Sequence, residues 1–279
     1  MDTTSRFQTY SPSGPISSFV DLLWHVDGSA PAPKRELVLP SASVEMVIAL
    51  HDAPYRLLDA KGDRVIASTF GGVVCGLRTS PVVLDLDFAH RDMGVHFKPG
   101  GAAVVLGFPV DELSAVHIDF TDVLGPQAGA LRVELGDLPT ARERFVCLEK
   151  FLTRRLLERR SANLDCRVVH SAIERCAQSR GQCDITRISK ELGWSTKKLR
   201  SRFAAQVGTS PKRFCRIVRM ESMLHRLESS LILGTGAGLA AEFGYFDQSH
   251  MIRDFRSLTG MTPTEYQRWD GKNFNHLPL

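Results

Sequence analysis

One pattern is written twice in the C-terminal part of this chain, and it constrains the fold more than any other feature. The first copy runs Gly193-Trp194-Ser195-Thr196-Lys197-Lys198-Leu199-Arg200-Ser201-Arg202-Phe203 and closes on Gly208-Thr209-Ser210-Pro211. The second runs Gly244-Tyr245-Phe246-Asp247-Gln248-Ser249-His250-Met251-Ile252-Arg253-Asp254-Phe255 and closes on Gly260-Met261-Thr262-Pro263. Ser195/Asp247, Leu199/Met251, Phe203/Phe255, Gly208/Gly260 and Pro211/Pro263 are each 52 positions apart. Gly193 and Gly244 are 51 apart, so the two opening turns differ by one residue.

Each copy has a physical reading. A short helix ends at a glycine, which tolerates the left-handed backbone of a tight turn. Ser195 or Asp247 then caps a new helix by accepting from its free amides. Leu199 and Phe203, or Met251 and Phe255, lie four apart and share one buried face. The opposite face carries Lys197, Lys198, Arg200, Ser201 and Arg202, or Gln248, Ser249, Ile252, Arg253 and Arg256. Helix, glycine turn and polar helix make a helix-turn-helix, whose second helix fits the DNA major groove. Proline then opens the following helix where its missing N–H does no harm, and Thr262 with Glu265 fits a capping box. Between the copies, Pro211 to Glu228 predicts one long helix with Phe214, Ile217, Val218, Met220, Met223, Leu224 and Leu227 as its apolar residues.

The segment Leu239 to Arg256, followed by Gly260-Met261-Thr262-Pro263 and Tyr266, resembles the signature of the AraC/XylS family of bacterial transcription regulators. The resemblance spans roughly residues 166 to 272, with one departure in the glycine-rich approach Leu233-Gly234-Thr235-Gly236-Ala237-Gly238. It implies that Lys197, Arg200 and Ser201 of the first unit, and Gln248, Ser249, Ile252 and Arg253 of the second, face base edges. The chemistry agrees: arginine bonds guanine through two N–H groups, glutamine does the same with adenine, and Ile252 suits a thymine methyl. Lys198, Arg202, Arg219 and Arg256 are cast as phosphate anchors. The implied partners are promoter double-stranded DNA and RNA polymerase, and activation is the implied sign of control.

Charge separates the chain in the same way. Residues 161–279 carry 18 Lys and Arg against 11 Asp and Glu, leaving 17 against 20 in residues 1–160. The basic half suits a polyanion; the other half does not. At 279 residues, 43% hydrophobic and 24% charged, the chain is long enough for two ordinary globular domains. Met1 to Ser18 lacks the charged start and apolar run of a secretory signal. No apolar stretch reaches the ~18 residues of a membrane helix, so a cytoplasmic protein without a membrane partner is expected. The six cysteines show no Cys-x-x-Cys pair and no histidines at zinc-finger spacing. They read most simply as buried thiols of a reducing compartment, with a thiol-sensing role for Cys176 and Cys183 as the second reading. No cofactor and no metal are expected.

The N-terminal half reads as short strands. Phe19–Val26, the two runs within Glu36–Leu50, a hairpin over Pro54–Ile66, Val73–Leu77, the alternating Val82–Phe88 and Met93–Phe97 are the candidates. Their close spacing suggests a β-sandwich or small barrel. After Pro99-Gly100-Gly101, Ala102–Leu106, Val110–Val116 and Phe120–Leu124 read as short helices. From Thr140 an amphipathic helix places Phe145, Leu148, Leu152 and Leu156 on one side, as a cover for the β core or a dimer contact.

The order Trp24-His25, Leu39-Pro40, Gly76-Leu77-Arg78-Thr79-Ser80-Pro81 and Gly94-Val95-His96-Phe97-Lys98-Pro99-Gly100-Gly101 resembles a sensor-like domain that precedes AraC-type DNA-binding domains. The resemblance implies a cupin-like β fold and an unknown small-molecule effector. Trp24, His25, Arg78 and His96 are the candidate effector-binding residues. A metal-dependent cupin enzyme would need a His-x-His pair with a downstream carboxylate, whereas His90 and His96 are six apart and His25, His51 and His117 are scattered. A catalytic N-terminal domain fused to a DNA-binding domain is the alternative; no enzyme is expected. The expected class is a two-domain α+β protein and homodimer. Residues 1–139 form a β-rich cupin-like barrel or sandwich with flanking helices, 140–163 a linker helix, and 164–279 an all-α domain of two helix-turn-helix units joined by a long helix.

Overall fold

The computed structural model describes residues 7–27, 34–86, 91–113, 117–158, 164–229, 236–270 and 275–279. Two antiparallel sheets form the N-terminal part. The first orders β1 (Phe7–Tyr10), β2 (Val20–Val26), β9 (Asp92–Phe97), β4 (Glu45–Ala49), β7 (Gly72–Cys75) and β10 (His117–Asp119). The second orders β11 (His276–Pro278), β3 (Arg35–Val38), β8 (Val82–Asp85), β5 (Tyr55–Leu58) and β6 (Val65–Thr69). The sheets remain separate, so the sandwich alternative holds over the closed barrel. The predicted hairpin is the β5–β6 pair. Strand β8 is buried at every residue rather than half-buried, because it lies between β3 and β5 with both faces covered. Asp87 and Phe88, with which the sequence pattern extends this strand, lie outside the described residues.

Strand alternation sends side chains to two distinct layers. Val38, Val47, Tyr55, Leu57, Val73, Cys75, Val82 and Leu84 fill the space between the sheets, with Trp24 packed against them. Leu23, Met46, Ile48, Val74, Met93, Val95 and Phe97 face the other way, onto a helical cover. That cover comprises α1 (Gly101–Leu106), α2 (Phe120–Leu124), α3 (Gln127–Asp137) and α4 (Ala141–Glu158). Val110–Leu113 forms only a short 3-10 turn, and Val116 lies outside the described residues. Helix α3 escapes the sequence pattern because two glycines and scattered apolar positions blur its face. The amphipathic face of α4 covers the core with Phe145, Leu148, Leu152 and Leu156, as the first of its two readings expects. The boundary segment Arg159 to Asn163 lies outside the described residues.

Gly94 shows why the central strand tolerates no side chain at that point. It pairs with Trp24 across β2 and β9, and a Cβ would penetrate the Trp24 indole. Gly94→Ala is expected to cost about 1–3 kcal/mol through overpacking and to alter the near-ultraviolet circular dichroism of Trp24. An unchanged spectrum with wild-type stability would refute this packing.

The C-terminal part contains α5 (Leu164–Gln178), α6 (Ile185–Glu191), α7 (Thr196–Val207), α8 (Pro211–Glu228), α9 (Gly236–Glu242), α10 (Gln248–Thr259) and α11 (Pro263–Arg268). Residues 233–235 of the glycine-rich approach lie outside the described residues, and α9 begins at Gly236. The two parts are not separate bodies of core. Leu39, Ala42 and Leu77 share one buried cluster with Val207, Phe214, Met220 and Phe255. The chain end also crosses back: β11 pairs with β3, Leu39 N–H donates to Asn275 O at 2.8 Å, and His276 Nδ1 lies 2.9 Å from Glu36 Oε2. Residues 276–278 therefore belong to the N-terminal sheet, although the sequence pattern assigns everything after 164 to the helical domain.

Glu221 of α8 marks this junction. Its Oε1 accepts from Ala42 N–H at 2.8 Å, and burial pushes its carboxyl up from 4.5 to about 7. The folded chain thus holds a proton that the unfolded chain releases at lower pH. The associated stability is fully present below 4.5 and is lost as pH rises through about 7. Glu221→Gln keeps the acceptor and removes the titration. Urea unfolding should find the variant more stable than wild type by about 3 kcal/mol at pH 8 and nearly equal to it near pH 4.5. Parallel pH profiles would contradict the assignment.

Candidate nucleic-acid interface

The repeated pattern folds as two matching units. Gly193 (φ 69°) and Gly244 (φ 68°) make the turns in the left-handed region, and Gly208 (φ 90°) and Gly260 (φ 78°) end α7 and α10 in the same way. Ser195 accepts from Lys198 N–H at 3.2 Å, and Asp247 from His250 N–H at 2.6 Å, so the expected caps are both present. Ser210 caps α8, and Thr262 with Glu265 closes the reciprocal capping box on α11. Leu199, Phe203, Met251 and Phe255 are buried, which fixes the outward face of each helix by its 3.6-residue period.

On α7 that outward face exposes Lys197, Lys198, Arg200, Ser201 and Arg202. Lys198 also places its ammonium 4.1 Å from the centre of the Trp194 ring, a cation–π contact that fixes the side chain at the helix start. On α10, Gln248, Ser249, Arg253 and Arg256 are exposed, while Ile252 is half-buried against the core. Gln248 folds its amide over Gly236 at the start of α9. Arg256 reaches Glu265 at 3.6 Å. Six of the seven base-facing candidates, all but Ile252, and three of the four anchors therefore lie exposed on the two second helices.

Arg219 is the exception and corrects its assignment as a phosphate anchor. Its guanidinium donates to Gly181 O at 2.8 Å and lies 4.9 Å from the centre of the Tyr245 ring. Its position in the middle of α8, which packs on both units, turns it inward; it joins the two units. Arg216 acts likewise, through Asp254 at 2.6 and 2.8 Å and Ser257 Oγ at 2.8 Å. Tyr245 OH donates to the same Asp254 at 3.0 Å. Helix α8 thus holds α7 and α10 in one fixed relation.

Phe246 is not among the residues to which the sequence pattern assigns a contact. It is 93% exposed and precedes the α10 cap. It stands 52 positions after Trp194, so the same repeat register that identifies the caps also marks it.

The four effector candidates divide. Trp24 stacks on Phe7 and faces the space between the sheets. His25, next along the same strand, points to the opposite face, where its Nε2 lies 3.1 Å from Arg144 Nη1. Burial first, then the Arg144 charge, lowers its pKa and keeps it neutral. Adjacent strand residues cannot line one pocket, so His25 is a core residue under α4. His96 lies between Asp21 (3.7 Å) and Glu45 (3.9 Å). Arg78 acts electrostatically on Cys75 and His117, and burial followed by this charge lowers His117 to about 4.

Two capped recognition helices, held rigidly and facing outward with a cationic surface, define a double helix-turn-helix DNA-binding domain. Residues 188–268 match a family model described as a helix-turn-helix domain, and residues 8–119 match one described as a domain of unknown function, DUF6597. The C-terminal part is a helix-turn-helix domain of the AraC type, and the chain is a DNA-binding transcription regulator. Among solved structures, ToxT from Vibrio cholerae overlays 94% of this chain and 98% of its own, at 12% identity and a TM-score of 0.45. Wild-type ToxT from Vibrio cholerae strain SCE256 with a bound unsaturated fatty acid overlays 96% of each chain, at 10% identity and a TM-score of 0.44. No curated protein matches the chain. Among the described residues no helix is long and apolar enough to cross a membrane.

Proposed function

We propose that one chain reads a bipartite, non-palindromic DNA site, with α7 and α10 entering successive major grooves on one face of the duplex. The observation that carries this reading is the bracing of both outward helices on α8, α7 through the Phe203–Phe214 ring contact and α10 through Arg216 and Asp254. A rigid pair suits half-sites about 10 bp apart, and bending the duplex to meet both costs on the order of 1–6 kcal/mol. Lys197, Arg200, Ser201, Gln248, Ser249, Ile252 and Arg253 contact bases; Lys198, Arg202 and Arg256 contact phosphates. The protein activates transcription through RNA polymerase in the cytoplasm and pairs as a homodimer through its N-terminal part. A small-molecule effector binds among Trp24, Arg78 and His96, whose polar surroundings include Glu45 and His117. Catalysis is not part of this reading. Selection from a random duplex library tests it: two conserved blocks about one helical turn apart are expected, and a single short block would refute two-groove reading.

A further inference from the structure

Three cysteines that are far apart in sequence meet inside the DNA-binding part. Cys176 comes from the end of α5, Cys183 from the turn before α6, and Cys215 from the first half of α8. Cys183 Sγ lies 3.5 Å from Cys176 Sγ and 3.5 Å from Cys215 Sγ, and all three sulfurs fall within 4.8 Å of one another. A tetrahedral zinc with bonds of ~2.3 Å requires its sulfurs about 3.8 Å apart, so little adjustment separates this arrangement from a coordination shell. A disulfide would need a closure to ~2.05 Å and would use only two of the three. We propose that Cys176, Cys183 and Cys215 form a three-thiolate site for a divalent, thiophilic cation of the zinc and cadmium class.

The surroundings fit that occupant. Cys176 and Cys215 are buried, while half-buried Cys183 borders a surface cleft lined also by Ser179, Gln182, Asp184 and Arg187. The cleft gives a path for the ion and leaves room for water as the fourth ligand. The loop is shaped in advance: Arg180 (φ 50°) and Gly181 (φ 73°) are both left-handed, and Gly181 N–H and Ser179 Oγ bond back to Cys176 O at 2.8 and 3.0 Å. Arg180 thus keeps a left-handed backbone that residues other than glycine rarely adopt, in the loop that seats Cys183 on its two partners. Binding displaces three thiol protons to solvent and changes no oxidation state. Three thiolates and one divalent ion leave a single negative charge. Arg219, one helical turn beyond Cys215 and bonded to Gly181 O, provides a neighbouring positive charge. The bound ion would pin α5 and the start of the first helix-turn-helix to α8, which braces the second.

Titration of the full-length, reduced, chelator-stripped protein with Cd2+ tests this site. A thiolate-to-metal absorption band saturating at one ion per chain and competed by Zn2+ is expected. Loss of an outer partner alone weakens metal sites by roughly 10–100-fold, so Cys183→Ser should weaken binding at least that much. Cys166→Ser and Cys147→Ser, outside the cluster, should leave it unchanged. A fold-independent check uses wild type: Zn2+ should protect Cys183 from iodoacetamide, read by peptide mass spectrometry. Absence of a stoichiometric band, a band removed by the Cys166 or Cys147 change, or unprotected Cys183 would overturn the proposal. So would a Cys176–Cys183 disulfide whose reduction yields no metal binding.

Discussion

Arg200→Ala combined with Arg253→Ala is expected to abolish sequence preference while leaving weak, salt-sensitive DNA binding. Both side chains are exposed on the outward faces of α7 and α10, one in each unit. A bidentate arginine–guanine pair supplies about 1–3 kcal/mol of discrimination, and sites on separate helices add nearly independently. The double variant should therefore lose ~2–6 kcal/mol of specificity, about 30-fold to 10,000-fold or more. Lys198→Ala differs in kind, because loss of a phosphate contact weakens all sequences alike and lowers the salt slope by about one. Library selection on wild type, the double variant and Lys198→Ala checks both effects. An unchanged motif in the double variant would show that other residues read the bases.

Phe203→Ala is expected to destabilise the whole chain by about 3–5 kcal/mol, the cost of emptying a fully buried aromatic site. Phe203 is 0% exposed, with its ring 5.4 Å from that of Phe214 in an edge contact. It belongs to the cluster that also contains Leu39, Ala42 and Leu77 of the N-terminal part. The crossing strand β11 and the Glu221 bond to Ala42 tie the same junction. Calorimetry should therefore show one transition shifted down as a unit. Two transitions, with only that of the helical part shifted, would mean that the shared cluster does not couple the parts.

The caps, glycine turns, buried pairs and outward residues of both helix-turn-helix units were legible because they depend on contacts within a few positions. Ser195, Asp247, Gly193, Gly244, Leu199 and Met251 do the same work in the structure as their spacing implies. Most strands were legible for the same reason, since alternation and turn residues act locally. The amphipathic face of α4 was legible too, but its partner, the first sheet, was not identifiable from the helix alone.

Other assignments required the three-dimensional chain. Arg219 and Arg256 look alike in sequence; packing of α8 between the units turns Arg219 inward to Gly181 and Tyr245, while Arg256 stays exposed. Trp24 and His25 share a strand, and only the two-layer arrangement gives one to the inter-sheet core and the other to Arg144. The return of residues 276–278 to β3 and the meeting of Cys176, Cys183 and Cys215 are equally nonlocal. Sequence by itself determined the units whose hydrogen bonds close over one or two helical turns. Tertiary structure decided which charges, rings and thiols face one another, because packing between distant segments sets those directions and no local period encodes it.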